Sequence, residues 1–133
     1  MEINNGELDS LYAKFESLKG LVVDGDINLS AIKMKRQIAL RLSEVTEAKK
    51  NVAESLCTKN KDGSPKTFFD EASRQEAYDF SIPENGKKCV LEINKINKDK
   101  CVLENSKVIE EARVVEIRCT QEQMEALLIL TEK

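Results

Sequence analysis

Apolar residues recur at helical spacing between Asn5 and Lys19, as Leu8, Leu11, Tyr12, Phe15 and Leu18. The pattern predicts an amphipathic first helix, capped by Asn4 or Asn5 and stopped at Gly20. The segment Leu21-Val22-Val23-Asp24-Gly25-Asp26-Ile27 then sets β-branched residues on both sides of Asp-Gly, the signal of a tight turn or a small hairpin. From about Ala31 to Lys59 the chain has neither Gly nor Pro and is rich in good helix formers, which predicts one long helix over about 31–59, capped by Asn28 or Ser30. Its apolar stripe is Ile38, Leu42, Val45, Val52 and Leu56. Steps of four and three residues make this a narrow seam of nearly seven-residue period, the kind that a coiled coil or an antiparallel bundle contact uses.

Polar residues dominate from Thr58 to Thr67, where Lys-Asp-Gly-Ser-Pro supplies turn chemistry with no apolar residue to pin it. A mobile loop is expected at 58–67. Apolar sequence resumes at Phe68 and Phe69, and Asp70 to Phe80 reads as a shorter helix ending before Pro83 and Gly86. From Lys88 the period changes to two. Cys89, Leu91 and Ile93 alternate, Asn97-Lys98-Asp99-Lys100 supplies a turn, and Cys101-Val102-Leu103 resumes extended sequence. With Val108-Ile109 and Arg113 to Cys119 added, a small antiparallel sheet is expected over about 88–119. Thr120 and Gln123 then match a capping box leading into Met124, Leu127, Leu128 and Leu130, so a short helix closes the pattern. Helices first, a small sheet later and one last helix make an α+β fold, read as a single domain over 1–133.

Composition narrows the chemistry. The chain has 133 residues, 41% hydrophobic and 34% charged, which is the profile of a folded, water-soluble domain with a charged surface. The net charge of −3 is too small to drive non-specific binding to nucleic acid or an anionic membrane, so neither is the expected partner. No segment reaches the roughly 20 apolar residues of a spanning helix, and Met1 to Gly6 lack a basic region followed by an apolar stretch. A cytoplasmic location is therefore expected.

Histidine is absent, which removes His-based triads, general bases and metal sites. The five glycines are scattered at positions 6, 20, 25, 63 and 86, and they build neither a P-loop nor a dinucleotide-binding turn. Cys57, Cys89, Cys101 and Cys119 contain no C-x-x-C pair, so zinc and disulfides are not expected; the four read as free thiols packed like small apolar residues. On that reading at least three of them resist a thiol reagent in the native protein. Acidic neighbours at Asp24-Gly25-Asp26, Asp70-Glu71 and Glu110-Glu111 are read as solvated turns and helix ends. No catalytic residue, cofactor or metal is assigned, and the chain is read as non-enzymatic.

Two features invite a functional reading. Lys33, Lys35, Arg36 and Arg41 place four cations early in the long helix with no carboxylate between them, against the helix dipole, so a small anionic ligand such as a nucleotide is one candidate partner. The seam Ile38, Leu42, Val45, Val52 and Leu56 is the other. A helix of about 29 residues runs roughly 43 Å, longer than a compact fold of this size readily covers, and this favours self-association or a second protein on the seam.

The layout of Glu7-Leu8 to Leu18, a long charged helix, the Lys61-Asp62-Gly63 turn and Val115-Glu116-Ile117 before a Leu-rich helix resembles small phage and prophage proteins of unknown function. The resemblance implies a virus-encoded accessory protein acting in the cytoplasm of a host cell, in assembly or against host defence.

Overall fold

Good helix formers without interior Gly or Pro do produce one long helix. In the computed structural model, which describes residues 1–133, it is α2, Gly25–Leu56, 32 residues and about 48 Å long. It starts earlier than the periodicity suggests. The expected turn at Asp24-Gly25-Asp26 is the helix's own first turn: the Asn28 amide donates to the Asp24 carbonyl at 2.9 Å, and the Asp26 carboxylate accepts from the Ile27 amide at 2.9 Å. Acidic side chains are favoured here at the positive end of the helix dipole, and Ile27, in the same first turn, is buried. Ser30, expected as a cap, is buried inside the helix.

The fold is α+β, and its contacts divide into two compact units, Met1–Glu44 with Asp99–Lys133, and Val45–Lys98. In the first, β1 (Glu2–Asn4) pairs antiparallel with β4 (Lys100–Val102), with Ile3 opposite Cys101. A 3₁₀ turn, Asn5–Glu7, leads into α1, Leu8–Glu16, which buries Leu8, Leu11 and Phe15 as its spacing requires. Gly20, at φ +85°, ends the turns that follow. The short α4 (Glu111–Val115) and α5 (Gln121–Ile129) complete the unit, with α5 packed on both α1 and α4. The capping box on α5 forms as expected: Thr120 Oγ1 accepts from the Gln123 amide at 3.1 Å, and Gln123 Oε1 accepts from the Thr120 amide at 2.9 Å. The core joins Leu8, Leu11 and Phe15 to Ile27, Met34 and Ile38 of α2 and to Leu103, Ile109, Val114, Leu127 and Leu130.

The second unit corrects two expected elements. Residues 70–80 are not a helix but part of a hairpin, β2 (Thr67–Asp70) with β3 (Gln75–Tyr78), in which Phe68 faces Ala77 and Phe69 faces Glu76 across the strands. Asp70 fixes the reversal, its carboxylate accepting from the Ala72 amide at 3.2 Å and the Ser73 hydroxyl at 3.0 Å, while Arg74 takes φ +56°. Residues 88–98 are not a strand but belong to α3, Pro83–Lys98. Pro83 opens this helix instead of ending the one before it, because its fixed φ and missing N–H suit a first helical position. Cys89, Ile93 and Ile96 turn inward at helical spacing, whereas Leu91, which the alternation would bury, is 61% exposed.

Further along, Val108-Ile109 and Arg113 to Cys119 form no strand, and the only part of the expected 88–119 sheet that exists is β4. The segment expected as a mobile loop is closed by hydrogen bonds. Asn60 donates to the Ser64 carbonyl at 2.8 Å, Gly63 (φ +87°) donates to that of Asn60 at 3.0 Å, and Lys59 bridges Pro65. Thr58 donates to the Asp79 carbonyl at 2.7 Å, which draws the chain out of α2 after Leu56.

Candidate functional site

The four basic residues of α2 do not form one site. Residues two apart on a helix sit about 200° apart around its axis, so Lys33 and Lys35 face opposite ways. Lys35 pairs with Glu16 of α1 and lies 5.5 Å from the centroid of the Tyr12 ring. The hydrogen bond from Lys35 holds the Glu16 carboxyl below its ordinary range and raises the lysine in turn. Arg41 pairs one turn along with Glu44 at 3.3 Å. Lys33 and Arg36, one turn apart on the same side, are exposed and make no ion pair.

Lys33 stands over a cleft of about 240 Å³, lined also by Ser30, Gln37, Glu104, Asn105 and Ser106. Its far wall, the stretch after β4, is clamped from two sides. Gln37 receives the Glu104 amide at 2.8 Å and donates to the Glu104 carbonyl at 3.0 Å. Asn105 Nδ2 donates to the carbonyls of Ile129 and Glu132, both at 2.8 Å, satisfying groups that the end of α5 leaves open. A second hollow in the same unit, about 400 Å³, is apolar at Phe15, Leu18, Leu21 and Ile32, with Lys19 and Lys35 at its edge.

Along the seam of α2 the structure separates what the period joined. Ile38 is fully buried in the core of its own unit; Leu42, Val45, Val52 and Leu56 are half-buried. The second unit has a thin interior. Only Ala53, Cys57 and Cys89 are buried in it, all of them small. Phe68 is 49% exposed and Phe69 58%, on opposite faces of the hairpin, and Ile82, Val90 and Leu91 are also exposed. Tyr78 donates to Glu54 of α2 at 3.0 Å, and burial followed by the Glu54 carboxylate pushes its phenol up.

One charged cluster was not anticipated. Arg113 of α4 grips Asp26 with two hydrogen bonds of 2.7 Å and reaches Asp24 at 3.2 Å, and Lys107 joins Asp26 at 3.3 Å. The hydrogen bonds from Arg113 hold the Asp26 carboxyl well below the usual carboxylate range, outweighing the opposing desolvation, and the contact from Lys107 adds to them. This bidentate pair ties the start of α2 to α4. The Asp-Gly-Asp motif was its visible half; nothing in the local pattern connects it to an arginine 87 residues away.

All four cysteines are free thiols, Cys57 and Cys89 buried, Cys101 and Cys119 half-buried. Burial pushes the Cys89 and Cys101 thiols up. No three His, Cys, Asp or Glu side chains converge as metal ligands, and no helix is long and apolar enough to cross a membrane. In comparisons with protein-family models, curated proteins and solved structures, none matches this chain.

Proposed function

We propose that the chain is a non-catalytic interaction protein, acting in the cytoplasm, whose second unit completes its core against a second copy of itself. The observation that carries this reading is the imbalance within Val45–Lys98, where three small side chains are buried while two phenylalanines, Val90 and Leu91 stay open to water. Full burial of such a side chain is worth about 1.5–3 kcal/mol, and each of these, about half exposed, forgoes on the order of half of that. Exposed apolar surface of this kind marks interaction sites. A two-stranded hairpin is marginal in water on its own, and both its strands have an open edge. The exposed surface of the unit carries both signs of charge, Lys87, Lys88 and Lys98 on α3 and Glu47 on α2, which a two-fold pair of copies can set in unlike pairs. Under this reading the expected seam contributes through Val45, Val52 and Leu56, while Ile38 stays in its own core. The resemblance of the sequence layout to small phage and prophage proteins suggests assembly, or interference with host defence, as the setting for such a module.

Sedimentation velocity over a range of concentrations tests the reading. A species of twice 15.0 kDa should dominate at high concentration, and Leu91→Glu combined with Phe69→Ser should dissociate it while leaving the helical circular dichroism intact, since both residues are exposed. A wild-type monomer at every concentration would defeat the proposal, as would a double variant that associates unchanged.

A further inference from the structure

We infer that the cleft between α2 and the stretch after β4 binds the phosphate group of a small ester, with Lys33 as its charged anchor. Four observations meet there. Lys33 lines the cleft and has no carboxylate within ion-pair distance, although Lys35 and Arg41 on the same helix are both engaged. The hydroxyls of Ser30, which is buried, and of Ser106 line the same space and make no hydrogen bond within the chain. The backbone amides of Asn105 and Ser106, two residues of the wall opposite the lysine, likewise donate no hydrogen bond within the chain. That wall is also held in place, by Gln37 on one side and by the grip of Asn105 on the end of α5 on the other. Donors already fixed before a ligand arrives lose little ordering entropy when they bind it. Open donors of this number suit a tetrahedral oxyanion, which accepts hydrogen bonds on several oxygens at once.

Size limits the ligand. About 240 Å³ lies below the roughly 300–1,000 Å³ of sites for drug-sized molecules, leaving room for a phosphate and a small substituent. Glu104 supplies the one carboxylate of the lining, and it opposes an anion. The proposal therefore carries a paired expectation: removing the charge at Lys33 weakens binding, and removing the charge at Glu104 strengthens it.

The test is calorimetric or NMR titration of the intact chain with inorganic phosphate and, separately, ribose 5-phosphate. Both ligands should bind saturably. Lys33→Gln should lower the affinity on the order of tenfold or more, the loss of a charge-assisted contact, whereas Glu104→Gln should raise it. Lys33 and the Glu104 side chain are exposed, so both variants should melt like wild type, which the same samples check. Tighter binding of the sugar phosphate than of phosphate would support an ester, with its substituent seated in the cleft; equal affinities would return the site to free phosphate and overturn the ester. No binding of either ligand up to about 10 mM, where a millimolar complex would be mostly formed, refutes the inference. So does binding indifferent to Lys33, or weakened by Glu104→Gln.

Discussion

Ile38→Ala separates a core residue from an interface residue on one helix. Ile38 is 0% exposed, whereas its neighbour on the seam, Leu42, is half-buried. The substitution removes three carbons, worth about 2.4 kcal/mol at about 0.8 kcal/mol for each buried methylene. The cavity left in the core adds to this, giving a loss of about 2–5 kcal/mol, of which alanine's better helix propensity returns a few tenths. Urea unfolding followed by far-ultraviolet circular dichroism should show a midpoint lowered by about 1–2.5 M for a slope of about 2 kcal/mol per molar. Leu42→Ala should lose less. With no tryptophan in the chain, the two tyrosines report separately, Tyr12 on the first unit and Tyr78 on the second. The Tyr12 signal should shift, while self-association at native concentrations stays as in wild type. A loss below about 1 kcal/mol together with weakened self-association would place Ile38 at an interface between copies and refute its assignment to the core.

Acid sensitivity should depend on the Arg113 clamp. Because the Asp26 carboxyl is held below its unfolded value of about 3.9, its ionisation stabilises the fold above that pH, and this contribution is lost as pH falls toward the folded value. Melting temperatures of wild type should therefore fall more steeply below about pH 4 than those of Arg113→Met, and equal slopes would remove the clamp from the acid response. Thiol reactivity should follow burial more finely than the expectation from sequence that at least three of the four resist: Cys57 and Cys89 stay slow toward a thiol reagent, half-buried Cys119 reacts ahead of them, and all four react in denaturant without reductant. Rapid modification of Cys57 and Cys89 in the native protein would contradict the buried placement of both.

Where one segment's own pattern was sufficient, the sequence determined the structure. Leu8, Leu11 and Phe15 fit only a helix face, Thr120 and Gln123 satisfy each other within a single turn, and the uninterrupted run of α2 needs no distant partner to be helical. Those elements, and the α+β class they imply, were legible. The free thiols and the unbroken charge run of Lys33, Lys35, Arg36 and Arg41 were visible too, but not which of the cations were already paired.

Tertiary structure decided the rest, because the remaining signals were either degenerate or non-local. Cys89, Leu91, Ile93 and Ile96 satisfy a period of two through the first three and a helical period through Cys89, Ile93 and Ile96, and only packing chose the second and left Leu91 in water. Pro83 can end one helix or begin another, and the hairpin of Phe68 and Phe69 settled which. Strand β1 found its partner in β4 almost a hundred residues on, and Asp26 found Arg113 across 87. Such pairings depend on chain segments meeting in space, so no local period encodes them. The cleft at Lys33 has the same origin, since its lysine and its open donors come from α2 and from a stretch some 70 residues further along that Gln37 and Asn105 hold in place.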